Sequence, residues 1–417
     1  MALVKHVVHV IVSAMFTITS TVVAFDILSN KNLAVYWGQN SYGASHHNQK
    51  ATWQQRLAHY CEDSAIDVFP IAFLTSFYGE GDLPTINLGN TCNSGNSAEF
   101  AGTQLLDCSF LASDIEECQA AGKIVTLSIG GASGGSVGFQ SDTQATQYAQ
   151  VIWDIFLGGT SSTRPFGTAV LDGIDMDIES GSQTGYAAFL KALRKLMDAN
   201  EKQFYLTAAP QCVFPDANLG DTLNAVGFDA VYVQFYNNWC GLQNYNNSDA
   251  WNFGTWDNWA KTKSPNRDVK IYIGASASPS AGDGYVDSGT LSTIIQETMA
   301  RYSSFGGVML WDASQAYANN RYDESAKNAL NQCYFPTTTA SRTATSTTAT
   351  TVTTTSPSTS CTGIKYWRKS SITALIFVQY VKGDQVKHKG HLWMAKWWTQ
   401  NDIPGGDANA WLDEGSC

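Results

Sequence analysis

Four acids stand close together in the apolar segment AVLDGIDMDIESG, residues 169–181: Asp172, Asp175, Asp177 and Glu179. In a β-strand alternate side chains share a face. Asp175, Asp177 and Glu179 then point one way, and Ile174, Met176 and Ile178 the other. Carboxylates stacked on one side of a buried strand repel each other and lose hydration, which raises at least one pKa. A carboxylic acid so placed can donate a proton near neutral pH. Acids at alternate positions also suit a calcium loop. That loop wants polar residues between its acids and glycine at its sixth position; here Met176 and Ile178 intervene, and Ser180 stands where the glycine should be. The favoured expectation is a catalytic or sugar-binding strand, with no metal and no cofactor.

The rest of the chain must position that strand. Short apolar runs recur at 33–38, 65–74, 123–131, 169–179, 204–210, 229–237, 269–275 and 305–313, most of them rich in Val, Ile, Tyr or Phe as buried strands are. Helical patterns lie between several of them. Phe189, Leu190, Leu193, Leu196 and Met197 recur at three- and four-residue spacing, and residues 105–122 read as another helix closed by Gly122. Eight strands alternating with helices predict a (β/α)8 TIM barrel over residues 25–336. A doubly wound open sheet is the competitor; no Gly-rich phosphate loop follows the first run to favour it. In a barrel the active site lies at the C-terminal ends of the strands. Glu179, Gln234, Tyr236 and Trp311 all fall there and would converge.

Composition narrows the ligand. Charged residues make up 15% of the 417, with 13 Trp and 18 Tyr, which suits a secreted protein handling a neutral, hydroxylated ligand such as a glycan. A net charge of −11 without a Lys/Arg run argues against nucleic acid. Residues 1–24 read as a secretory signal: Lys5 and His6 precede an apolar run to Val23, and Val22 and Ala24 give a small-residue cleavage pattern. Its many Ser and Thr residues make it a poor membrane span, and no other segment is long enough. Residues 337–360 collapse to Thr, Ser and Ala, an extended and O-glycosylated linker by composition. Asn246-Asn247-Ser248 is an N-glycan sequon. Nine cysteines suggest disulfides with one thiol left over; their pairing does not follow from sequence.

The motifs together resemble the family-18 glycoside hydrolases. DGIDMDIE (172–179) matches the DxxDxDxE signature of the chitinases and SIGG (128–131) their SxGG motif. YWGQN (36–40), LTAAPQC (206–212), VQFYNN (233–238) and GGVMLW (306–311) look like the plant-type class III enzymes and their fungal relatives. The resemblance implies a substrate-assisted reaction, an exception to the two-carboxylate rule of retaining glycosidases. Glu179 would be the acid/base. Asp177 would hold the acetamide N–H, Asp175 would share a proton or charge with Asp177, and Tyr236 would hold the acetamido oxygen. Trp311 would floor the pocket, with Gln234, Asn237 and Tyr36 as further substrate-binding residues. Asp172 would brace the strand, while Ser128, Gly130 and Gly131 leave room beside it. The resemblance also implies disulfides Cys61–Cys118, Cys92–Cys108 and Cys212–Cys240 with Cys333 free. Non-proline cis bonds would fall at Ala72-Phe73, Glu179-Ser180 and Trp311-Asp312. Too few residues lie between Gly274 and Phe305 for an additional α+β domain, so a shallow groove with endo-type cutting is implied.

Residues 383–417 resemble the small chitin- and cellulose-binding modules with an AKWWTQ core. By that likeness residues 361–417 form a small β-rich carbohydrate-binding module. Trp397, Trp393 and Trp398 would bind polysaccharide, Trp411 is a further candidate, and at least one of the four would be buried. Cys361–Cys417 would staple so small a core. The expected protein is a secreted, extracellular or cell-wall monomer acting on chitin and N-acetylglucosamine oligomers. An endo-β-N-acetylglucosaminidase acting on N-glycans, or an inactive chitinase-like lectin, is the alternative.

Overall fold

The computed structural model describes residues 25–132, 137–332, 385–389, 391–395, 403–404 and 411–416. The expected leader (1–24), the Thr/Ser-rich linker (337–360), and Cys333, Cys361, Cys417, Trp397 and Trp398 lie outside the described residues. The chain divides into two compact units, residues 1–337 and 338–417.

In the first unit each apolar run supplies one strand. The first four are β1 (Asn32–Val35), β2 (Val68–Ser76), β3 (Ile124–Gly131) and β4 (Gly173–Ile178). The others are β5 (Tyr205–Ala208), β6 (Ala230–Gln234), β7 (Lys270–Ser276) and β8 (Phe305–Trp311). Neighbours pair in parallel in chain order, and β1 pairs with both β8 and β2, so the sheet closes. An open doubly wound sheet is excluded. A two-residue strand, Thr85–Ile86, adds antiparallel to β2.

Alternation along the strands separates two cores. Leu33, Val35 and Trp37 pack outward with the helix-facing core, whereas Ala34 and Tyr36 belong to the barrel interior. Barrel interiors are ordinarily filled by branched aliphatics. This one holds Tyr36, Tyr232, Tyr236 and Tyr272 beside the buried Asp175 and Asp177. The helix at Tyr186–Asp198 buries Phe189, Leu190, Leu193 and Met197, as their spacing requires. The helix expected over 105–122 is shorter. It spans Ala112–Ala120 after a 3-10 turn at Ser109–Leu111, and Cys108, disulfide-bonded to Cys92, ends the non-helical stretch before it. Gly122 follows that helix at φ +78°, the left-handed conformation a helix terminus favours. Cys61–Cys118 and Cys212–Cys240 are also bonded, so the three pairings implied by the resemblance are present. No helix among the described residues is long and apolar enough to cross a membrane.

At the N-terminal end of the barrel an aspartate stands immediately before every even strand up to the sixth. Asp67, Asp172 and Asp229 accept the backbone N–H groups of Leu33, Val125 and Leu206 at 2.7, 2.8 and 2.7 Å. Each also pairs with a cation: Lys327 at 2.5 Å, Lys202 at 2.9 Å and Arg194 at 2.6 Å. These carboxylates tie the starts of adjacent strands together. Asp172 braces its strand, as expected.

The second unit contains an antiparallel sheet of β9 (Gln385–His388), β10 (His391–Ala395) and β11 (Trp411–Ser416). Val386, Ala395 and Trp411 form its small core, so Trp411 is a buried tryptophan. Trp393 is half-buried against that core, and its indole N–H donates to the His388 carbonyl at 3.1 Å.

Candidate active site

The acid strand β4 lies between β3 and β5 in a register that decides what surrounds Asp175. Ser128 of β3 and Thr207 of β5 are its direct neighbours. Their hydroxyls each donate to Asp175 at 2.7 Å, and Tyr36 donates from across the barrel at 2.6 Å. Burial pushes the Asp175 carboxyl up, and the three donors pull it down. Two expectations change here. Tyr36 is 1% exposed, does not line the cavity and donates its hydroxyl to Asp175, which makes it a support for that acid. Ser128, expected only to leave room, is itself a donor. Close approach is the work of Gly130: a Cβ there would stand 2.4 Å from the Asp177 carbonyl oxygen.

Asp177 is 3% exposed and accepts the Gln234 amide at 2.8 Å; the same amide donates to the Ala209 carbonyl at 3.0 Å, which fixes its direction. Burial, then the charges of Glu179 and Asp175, hold the Asp177 carboxyl well above the usual carboxylate range. Glu179 follows the last residue of β4 and is half-buried. Burial raises its pKa, the Gln234 amide opposes the rise, and the Asp216 charge adds to it. Asp216 is itself buried, on the segment after β5, where it accepts the backbone N–H groups of Gln211, Asn218 and Leu219 at 2.9, 2.8 and 2.7 Å. Burial and the nearby carboxylates push the Tyr236 phenol well above its ordinary value, so it stays a hydrogen-bond donor.

Asp177 and Glu179 open on a cavity of about 350 Å³ whose walls include Gln234, Tyr236, Asn237 and Trp311. Trp311 lies nearly parallel to Phe73, ring centroids 5.8 Å apart, and this pair forms an apolar wall of the same cavity. The residue after Trp311 holds it from behind: Asp312 accepts from Gln315 N–H at 3.1 Å, from the Ser314 hydroxyl at 2.6 Å and from Ser41 N–H at 3.1 Å. Asn237 adopts φ +55° and accepts the Asp283 N–H at 2.7 Å, which fixes its amide at the rim. The peptide bonds Ala72-Phe73 and Trp311-Asp312 are cis. Glu179-Ser180 is not, a correction to the expectation; Gly181, at φ +98°, takes the turn that carries the chain away from the barrel. Phe214-Pro215 is cis as well.

Sequence reasoning missed Phe73, Thr207 and Asp216. For Thr207 the signal was available, because it falls in the strand next to the acids at the level of Asp175. Asp216 lies on an irregular segment whose route no periodicity discloses. Trp37 is fully buried in the outer core, while Gln39 reaches the cavity wall. Among the described residues no group of three or more His, Cys, Asp or Glu side chains could hold a metal ion. The geometry instead offers a proton donor, a buried second carboxyl, a phenol donor and an aromatic wall around one small polar volume.

Comparisons with known proteins agree with this geometry. The model of "Glycosyl hydrolases family 18" matches residues 32–282, and that of "Carbohydrate-binding module family 5/12" matches residues 378–412. The chain is 49% identical to chitinase 2 of Rhizopus oligosporus over 70% of its own length and 51% of that protein's, so it spans about half of that relative. Among solved structures, a chitinase from Ipomoea carnea is 32% identical with a TM-score of 0.58, covering 72% of this chain and 99% of that one. A xylanase-α-amylase inhibitor protein is as similar, at 31% identity and a TM-score of 0.59, covering 72% and 99%.

Proposed function

The chain belongs to the glycosyl hydrolases of family 18, and on that premise we propose that it is a secreted endo-chitinase cutting β-1,4 bonds between N-acetylglucosamine units. The observation that carries this reading is the placing of Glu179 beside Asp177, Gln234 and Tyr236 in one cavity walled by Trp311. Glu179, with its raised pKa, protonates the departing glycosidic oxygen and later activates water. No protein carboxylate acts as nucleophile. The acetamido oxygen of the substrate attacks its own anomeric carbon, and retention follows from the two successive displacements.

Asp177 accepts the acetamide N–H and stabilises the positive charge that develops on the ring formed. Gln234 keeps Asp177 turned toward the cavity. Asp175, fixed by its three hydroxyl donors, acts on Asp177 through charge. Tyr236 donates to the acetamido oxygen, and Trp311 packs under the sugar's C–H face. Residues 361–417, joined by the linker 337–360, hold the enzyme on insoluble chitin. The leader 1–24 directs export.

The similarity to an inhibitor protein raises a second reading, a barrel that binds without cutting. The presence of Glu179, Asp177 and Tyr236 together in the cavity favours catalysis. Incubation with colloidal chitin and N-acetylglucosamine oligomers, beside a Glu179→Gln variant, decides between them. We expect the variant to lose about 10³-fold in rate. No product from the unaltered chain supports the binding reading; equal product from both proteins removes Glu179 from the mechanism.

A further inference from the structure

Beyond the cavity rim, on the same end of the barrel, two large aromatic side chains face solvent. Trp239 is 55% exposed and Phe214 38% exposed. No other tryptophan among the described residues is more than half exposed. They flank a groove of about 450 Å³ whose remaining walls include Asp249, Asn252, Thr255 and Trp251. Exposing an indole forgoes the stabilisation its burial would give, so an exposed pair in a groove calls for a ligand.

The two segments that carry the pair are held in place. Trp239 immediately precedes Cys240 and Phe214 lies two residues beyond Cys212, and the Cys212–Cys240 disulfide joins the two segments. The Trp239 carbonyl accepts from the Asn244 amide at 2.8 Å, and the Phe214 ring meets Trp256 edge-on at 5.0 Å. The Cys212 carbonyl accepts both the Asn252 amide, at 2.7 Å, and the Trp256 indole N–H, at 3.2 Å. A backbone fixed in this way loses little conformational freedom on binding.

We propose that Trp239 and Phe214 form a stacking platform for sugar units of a chitin chain that runs on past the cavity. The inference rests on the chitinase reading. Trp239 stands two residues beyond Asn237 and three beyond Tyr236, both of which line the cavity, so the segment that follows β6 carries both surfaces. Phe214 belongs to the segment whose Gln211 bridges to Gln234. Rings beside an amide, a hydroxyl and a carboxylate match a neutral polysaccharide, whose C–H faces are apolar and whose edges carry hydroxyls and acetamides.

The test compares the full chain with Trp239→Ala and Trp239→Phe on the N-acetylglucosamine trimer and hexamer. We expect Trp239→Ala to lower kcat/KM on the hexamer about tenfold, the equivalent of one stacking contact, and on the trimer less than about threefold. Trp239→Phe should recover most of the hexamer rate. Hexamer affinity by calorimetry in a Glu179→Gln background, with and without Trp239→Ala, reads the platform independently of turnover. If the unaltered chain cuts nothing, the chitinase reading fails while calorimetry still decides the platform. Unchanged hexamer affinity, or equal losses on trimer and hexamer, overturns the platform.

Discussion

The two ends of one strand treat their acids in opposite ways. At the start of β4, Asp172 accepts two donors, Val125 N–H and the Gln119 amide, and pairs with Lys202. At the other end Asp175, Asp177 and Glu179 crowd together with Asp216 nearby, and among the described residues no ion pair reaches any of them. The lower end neutralises its carboxylates and repeats the device at Asp67 and Asp229. The upper end leaves them uncompensated, held by amides and hydroxyls. Barrels commonly divide in this way, stability below and chemistry above. Here the division runs along a single stretch of sequence.

The sharpest way to test that contrast is Asp177→Asn. Its activity should fall about 10²-fold, as the acetamide loses its charged acceptor. Its stability should move the other way. Because burial and neighbouring charges raise the folded pKa of Asp177, the stability it contributes is present below the unfolded carboxylate value and is lost as pH rises through the folded pKa. An asparagine carries no charge to bury. The variant should therefore melt higher than the parent at neutral pH, and the gap should close as pH falls toward about 4. Thermal melts across that range check it; a lower melting temperature at neutral pH would break the comparison.

Asp172→Ala should do the reverse. Losing the Lys202 pair and two hydrogen bonds should cost about 2 kcal/mol, discounted because Lys202 is one-third exposed. Turnover per folded molecule should be unchanged. Denaturant titration combined with activity at low temperature separates the two effects. A smaller change is expected for Thr207→Val, which removes one of the three donors to Asp175. Turnover should fall about fivefold, since one such hydrogen bond is worth roughly 1 kcal/mol. A full loss of activity would show that Thr207 does more than support Asp175.

The same contrast explains what the sequence disclosed. Alternation within 172–179 already aligned the three upper acids, and the eight apolar runs placed them on the fourth strand. What neutralises or supports each acid comes from elsewhere in the chain. Lys202 reaches Asp172 from the turn before β5, Tyr36 reaches Asp175 across the barrel, and Asp216 approaches Glu179 on an irregular segment. Those partners depend on strand register and barrel closure, which local periodicity does not encode. Tyr36 shows the consequence: its position at a strand end was legible, but its hydroxyl's partner was not. The helix ending at Ala120 is shorter than its sequence pattern predicts for a related reason, because residues 105–108 serve a loop tied by the Cys92–Cys108 disulfide.

The central claim is that the upper acids work without a protein nucleophile, using the substrate's own acetamide. Proton NMR of the first products released from the N-acetylglucosamine hexamer tests it most directly. The account predicts that the new reducing ends appear first as the β-anomer and then mutarotate. Initial release of the α-anomer would mean direct attack by water, and would contradict it.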